Sequence, residues 1–381
     1  MNLEEAASRC WLEVDLDALR RNYRSAASLM SGGGVIPVLK ANAYGMGAVE
    51  VARALKAEGA RLFAVATADE AVQLLGGIEG IEVLCLGLVG PESMARLIAR
   101  DMPLTLYSPA QGAQIARTAE KLGCVARVHV KVDTGLHRLG LEVESAAETV
   151  SALCAGGHIR PVGLYTHLAI HSPESDRLQV ERLSRVRAEL EARGVRIPLC
   201  HAVDSIGMAR YPSLHLDAAR TGAWLFGVSP RNAPVPCESI ARFKARVSQL
   251  RWVKAGELIG YDDDSPLTRD TLVATVSAGY VDGTPRRGDL WQVELRGRRC
   301  GVLGIACMDQ LMVDATDAPG VCEGDVVTLV GGEIGVEEYA RMGGLNHNEA
   351  WARIGRRVPR IYFENGSPVR ACAELESEIC I

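Results

Sequence analysis

Apolar residues follow two rhythms along this 381-residue chain. Over the first ~230 residues, short apolar runs alternate with stretches whose apolar positions recur every three to four residues. VIPVLK (35–40), LFAVAT (62–67), EVLCLGLV (82–89) and PLTLYS (103–108) have strand length. RVHVKVD (127–133), PVGLYTHLA (161–169), PLCHAVDS (198–205) and a run near TGAWLFG (221–227) continue the series. Between the first two, AVEVARALKAEGA puts Ala48, Val51, Ala52 and Leu55 on one helical face, and Gly59 stands where that helix would stop. Eight strands alternating with helices predict an α/β fold, a parallel (β/α)8 barrel of the TIM type. An open doubly wound sheet is the rival, but the GxGxxG turn that usually follows its first strand is absent.

WLEV (11–14) reads as a short strand before the barrel, and Asp15 is placed to cap the helix LDALRRNYRSAASLM. Leu16, Leu19, Tyr23, Ala26 and Met30 form the buried stripe of that helix. After about residue 240 the rhythm shortens to strand runs broken by Gly, Asp and Pro: WVKAGELIGY, TLVATVSAGY, DLWQVELRG, CGVLGIACMDQLMVDAT and GDVVTLVG. One helix, VEEYARMGG (336–344), interrupts them, and RVPRIYF (357–363) closes the series. The expected division is a barrel over 1–240 and a mostly-β C-terminal domain over 241–381.

Composition narrows the class. A net charge of −5 and a pI near 6.0, with no basic stripe, argue against nucleic acid as a partner. No apolar run reaches the roughly 18 residues of a membrane span, and the acidic start MNLEEAASRC has no signal-like apolar core. The 11 cysteines are odd in number and scattered without a CxxC pair, which suggests reduced thiols, a cytoplasmic setting and no structural metal.

The chemistry-bearing candidates cluster at strand ends, where a barrel gathers its active site. Lys40 closes the first run. Alone it reads as a lysine that snorkels to solvent. A desolvated amine at that place can also condense with an aldehyde. Asn42, Tyr44, Gly45 and Gly47 follow at once, in a loop whose glycines let backbone approach a ligand. Arg138 reads alone as a surface ion-pair residue, His167 as a satisfied core histidine, Tyr261 as an aromatic closing a β core, and Met308 as packing.

Taken together these residues resemble the bacterial alanine racemases. VLKANAYGMG looks like the pyridoxal-phosphate lysine motif, and KVDTGLHRLG with the pair GYVDG and CMDQ extends the likeness over nearly the whole chain. The resemblance implies pyridoxal 5'-phosphate held covalently by Lys40, with Lys40 and Tyr261 as two catalytic bases. Tyr44, Ser205, Gly222 and Ala223 would contact the phosphate. His167 would bond Arg220, the arginine facing the pyridine nitrogen. Lys131 matches a lysine often carbamylated in the family, and its carbamate would position Arg138 beside the substrate. Tyr280, Met308 and Asp309 would come with Tyr261 from a partner subunit, in a homodimer with shared sites. The implied reaction interconverts L- and D-alanine, which feeds peptidoglycan synthesis. A serine or broader amino-acid racemase is the alternative, and a decarboxylase of related fold the more distant one.

Three places depart from the family pattern. Asp204 stands where Asn is usual, so it is expected to point away from the phosphate. DDDSP follows Tyr261, and Asp262–Asp264 could recharge the site entrance. Arg356, in RIGRRVPRI, replaces a tyrosine and is a candidate for a charged contact to the phosphate or to a polar substrate.

Overall fold

The computed structural model describes residues 1–373 apart from 31, 231–232, 262–264 and 288–289. The chain divides into two units interleaved in sequence. One comprises Arg20–Ala43 and Ala48–Cys237; the other comprises Met1–Leu19, Tyr44–Gly47 and Glu238–Ile381.

In the first unit the described strands form the expected parallel barrel. Gly34–Pro37, Ala218–Thr221, Leu199–His201, Ile159–Tyr165, Ala126–Asp133, Leu104–Leu106, Glu82–Cys85 and Leu62–Val65 are neighbours in that order. A parallel bridge between Val38 and Ala64 joins the two ends. Side chains alternate across a strand. On Ala126–Asp133, Val128, Val130 and Val132 are fully buried, and the intervening His129 and Lys131 join Tyr165 and His201. One apolar cluster holds Ile36, Val38, Ala64 and Ala218. The helix Ala48–Ala57 buries Val51, Ala52 and Leu55 as its periodicity predicts.

The last barrel strand is not where the sequence suggested. TGAWLFG contributes only Thr221 to it, and Ala223–Phe226 is a 3-10 turn. Trp224, Leu225 and Phe226 are buried, so the dense apolar run marks burial rather than a strand. The strand itself is Ala218–Thr221 and carries Arg220.

The second unit is built on one sheet. Its strands run Thr271–Val276, Leu311–Asp314, Arg298–Leu303, Gln292–Leu295, Val326–Val330, Ala241–Val253, Cys10–Asp15, Arg360–Glu364 and Ser367–Cys372. Ala241–Val253 also pairs with Thr271–Val276, across a register shift between Val247 and Gln249. The N-terminal strand explains why Met1–Leu19 belongs here and not with the barrel expected from residue 1. Leu12 pairs antiparallel with Phe243, and Val14 pairs parallel with Tyr362. Asp15 does cap the following helix, accepting from Asp17 and Ala18 N–H at 2.9 Å each. Tyr44–Gly47 is tied in by Arg360 Nε to Gly45 O (2.9 Å) and Tyr362 Oη to Met46 O (3.1 Å). The expected helix is Val336–Met342. A second, His347–Ala352, was not foreseen, although Asn346 and Glu349 form its capping box.

Among the described residues no helix is long and apolar enough to cross a membrane, and no group of His, Cys, Asp or Glu could hold a metal ion.

Candidate active site

The first barrel strand ends at Pro37, short of the lysine the sequence assigned to it. Lys40 instead opens a helical turn, Lys40–Tyr44, that is left-handed. Ala41, Asn42, Ala43 and Tyr44 have φ of 53, 54, 54 and 54°. Left-handed turns of L-residues cost roughly 1–2 kcal/mol per residue, so something must hold this one. Glu70 accepts the Ala41 N–H at 2.6 Å. Asn42 Oδ1 accepts the Ala48 N–H at 2.7 Å. The Lys40 side chain is exposed.

Arg220 lies at the same end of the barrel and is almost wholly buried. No carboxylate pairs with it among the described residues. Its Nη1 meets His201 Nδ1 (2.7 Å) and His201 O (3.2 Å). Its Nη2 meets Thr166 O (2.8 Å), His167 Nδ1 (3.0 Å) and Ala202 O (3.0 Å). Nε takes part in none of these bonds, leaving one directed N–H on a permanent cation. Burial lowers Arg220 from its ordinary value, but arginine starts so high that it stays protonated.

The histidines around it are neutral. Burial, followed by the Arg220 charge, drives His167 down to about 2 and His201 well below its ordinary value. Burial, then Arg127 and Arg220, takes His129 to about 3. Tyr165 stacks on His201 at 4.8 Å between ring centroids and shares a 2.9 Å hydrogen bond with Thr105.

Lys131 is buried, its Nζ 5.0 Å above the Tyr165 ring. Burial, then Arg220 and Arg138, lowers it to about 7. Its Nζ makes no hydrogen bond or ion pair among the described residues. Arg138 is exposed on the loop that follows.

Ser205 begins a short helix, and its Oγ accepts long bonds from Gly222 N (3.3 Å) and Trp224 N (3.4 Å). The Thr221 hydroxyl is buried and has no hydrogen-bond partner among the described residues. Weakly used N–H groups and an orphaned hydroxyl at adjoining strand ends suit an oxyanion such as a phosphate. Ala223 sits in this turn, half-buried. Asp204 is engaged in capping that helix: its Oδ1 accepts from Ile206 and Gly207 N–H at 2.9 Å each.

The second unit holds Tyr280, Met308 and Asp309 on two adjoining loops. Tyr280 N donates to Cys307 O (3.1 Å) and Val281 N to Met308 O (3.2 Å). A Cβ at Gly279 would collide with the Met308 carbonyl, so glycine permits this approach. Beneath the loops, Asp282 is fully buried and bonded by Arg9 (2.5 Å) and Arg357 (2.8 Å). Arg357 also reaches Asp309 at 2.6 Å, which ties that loop to the buried carboxylate. Tyr261, Tyr280 and Met308 remain 67, 37 and 51% exposed. Arg356 is exposed after the helix His347–Ala352, and Tyr44 is half-buried. Asp262–Asp264 lies outside the described residues.

Sequence reasoning missed His129, Tyr165, His201, Glu70, Asp282, Arg9 and Arg357. The alternation in RVHVKVD, with His and Lys two apart, was the one signal that could have placed His129 beside Lys131.

The family described as "Alanine racemase, N-terminal domain" matches residues 14–230, and "Alanine racemase, C-terminal domain" matches 240–362. A curated alanine racemase of Symbiobacterium thermophilum is 37% identical over 92% of this chain and 96% of its own. Among solved structures, an alanine racemase of Clostridium difficile 630 superposes with a TM-score of 0.93 at 31% identity, covering 96% of this chain and 99% of the other. An alanine racemase from Bartonella henselae with covalently bound pyridoxal phosphate gives 0.83 at 28% identity, covering 93% and 99%. With two family matches that together span most of its length, the chain belongs to the alanine racemase family.

Proposed function

We propose that this protein is a pyridoxal-phosphate enzyme that interconverts L- and D-alanine, working as a homodimer. The observation that carries the reading is Arg220: a buried cation at the barrel mouth, bonded through both Nη atoms to neutral acceptors and keeping Nε–H for a ligand. Ser205, Gly222, Ala223 and Thr221 would hold the phosphate and Lys40 the aldehyde carbon. When bound, the cofactor supplies an aldehyde for the substrate amine and a ring that draws electron density from Cα.

Arg220 sets how strongly. It cannot give up its proton, so it would leave a ring nitrogen facing it unprotonated. The draw would then be weaker than with a carboxylate partner, which suits a reaction that breaks and remakes one bond. Racemisation needs a proton taken from one face of Cα and returned on the other. Lys40 and Tyr261 are the two carriers in this reading. Exposure of Tyr261, Tyr280 and Met308 supports their meeting the Lys40 site of a second copy. Met308 would face the substrate carboxylate, and Arg138 would stand by it. Lys131, with a substantial neutral fraction near pH 7, is suited to take up carbon dioxide as a carbamate and release a proton. That anion would answer the surrounding arginines. D-alanine is the product that wall synthesis would consume.

The relatives' names favour alanine over serine and over decarboxylation. The purified protein, supplied with pyridoxal phosphate, should gain visible absorbance and convert either alanine enantiomer to the racemate. L-Serine should be inverted with kcat/KM lower by roughly tenfold or more. Faster inversion of serine would overturn the alanine assignment, and no inversion of any amino acid would overturn the racemase reading.

A further inference from the structure

Arg220 is a permanent donor, and that fixes proton positions two residues further into the barrel. Its Nη1 lies 2.7 Å from His201 Nδ1, so that nitrogen must present a lone pair. His201 is fully buried and neutral, which puts its one ring proton on Nε2. This Nε2 lies 3.0 Å from His129 Nδ1, which must then be the acceptor. His129 is neutral too, so its proton sits on its own Nε2. The donors therefore run one way, from Arg220 to His201 to His129. The other tautomer of His201 would set N–H against N–H at Arg220. The other tautomer of His129 would do the same at His201.

The surrounding strands are shaped to hold this line. A Cβ at Gly163 would collide with the His129 ring, so the strand Ile159–Tyr165 is cut back where the imidazole enters. Two residues on, Tyr165 lies over His201. Arg127, Lys131 and Arg138 add positive fields around the histidines. A further proton on the pair is opposed from several sides.

We propose that His129 is a positioning residue for Arg220. It accepts the His201 Nε2 proton and so locks His201 as the acceptor that orients the guanidinium. The consequence for cofactor binding rests on the function proposed above; the tautomer chain does not.

The test reads protons directly. Ring-15N histidine NMR on the full-length protein, with peaks assigned through His129→Gln and His201→Asn, should show both residues as Nε2–H and untitrated from about pH 6 to 8. An Nδ1–H form of either, or titration in that range, overturns the chain of donors, and this readout stands even if no racemase activity is found. For the positioning role, His129→Gln keeps an acceptor and should hold kcat within about threefold. His129→Leu and His129→Met remove it and should lower kcat about tenfold or more, with KM for alanine moved less than about threefold. Equal kcat in the Gln variant and in whichever apolar variant folds would overturn the positioning role. If neither apolar variant folds, loss of the His201 Nε2–H signal in His129→Gln would overturn it, and retention would support it.

Discussion

Arg9 and Asp282 stand 273 residues apart in sequence and form a two-pronged ion pair, Nη1 to Oδ2 at 2.9 Å and Nη2 to Oδ1 at 2.5 Å. Asp282 is fully buried and also accepts the Gly279 N–H and both prongs of Arg357. Burial works against its charge, but these bonds win and hold it below the ordinary carboxylate range. The first turns of the chain thus fasten the loop that carries Tyr280.

Replacing Arg9 with Met should cost about 1–3 kcal/mol, because Arg357 still answers the carboxylate. Removing Arg357 as well should cost more than the sum, since the buried charge is then stranded. A double-mutant cycle by urea unfolding checks this. Additive losses would show that the two arginines act independently. In the proposed reaction, Arg9→Met should raise KM for alanine more than it lowers kcat.

The left-handed turn after Lys40 makes a separate prediction. Ala41 is exposed and has φ of 53°, so its replacement changes mainly the backbone term. Ala41→Gly should raise stability by up to about 1 kcal/mol, and Ala41→Val should lower it by more than that. Thermal melts of the two variants settle the sign. Glu70→Ala should melt earlier and should also lose activity, because the turn that presents Lys40 loses its anchor.

Acid should unfold the protein through its neutral histidines. His129 sits at about 3, His167 at about 2 and His201 well below its ordinary value, whereas unfolded histidine titrates near ~6.5. Between these limits the unfolded chain binds protons the folded one refuses, so stability falls as pH drops below ~6.5. Each histidine contributes up to about 1.4 kcal/mol per pH unit. Urea midpoints from pH 7 to 5 should fall, and His129→Gln should reduce the slope by close to one proton. An unchanged slope in that variant would contradict the assignment.

Lys131 behaves in the opposite pH range. Folded it titrates at about 7, against ~10.4 for an unperturbed lysine, so stability rises with pH between the two values. Protein equilibrated with 13C-bicarbonate should show a carbamate carbon that is missing in Lys131→Met. Its absence in the unsubstituted protein would remove carbamylation from the reading.

Tyr261→Phe should separate exchange from inversion. In deuterated solvent, Cα–H exchange should persist for the alanine enantiomer whose proton faces Lys40 and vanish for the other, while inversion stops. Exchange of both enantiomers at wild-type rates would exclude Tyr261 as the second base.

How much of this could be read from sequence depended on range. The barrel was legible because its strands are short apolar runs at regular spacing, and Lys40, Arg220 and Ser205 fell near their ends. TGAWLFG misled because apolar density reports burial from any direction. His129 and His201 were invisible as a pair, since 72 residues separate two histidines that share a proton. Arg9 and Asp282 carried no local signal at all.

The strand Cys10–Asp15 is seated between Ala241–Val253 and Arg360–Glu364. That seat has a temporal meaning for a chain made from its N-terminus. Cys10–Asp15 leaves the ribosome ahead of the barrel and cannot take its parallel partner until roughly 350 more residues follow, about 18–70 s at ~5–20 residues per second. The barrel residues all emerge inside that interval. The second unit must therefore keep this segment in waiting, exposed to chaperones and proteases, until Arg360–Glu364 is released.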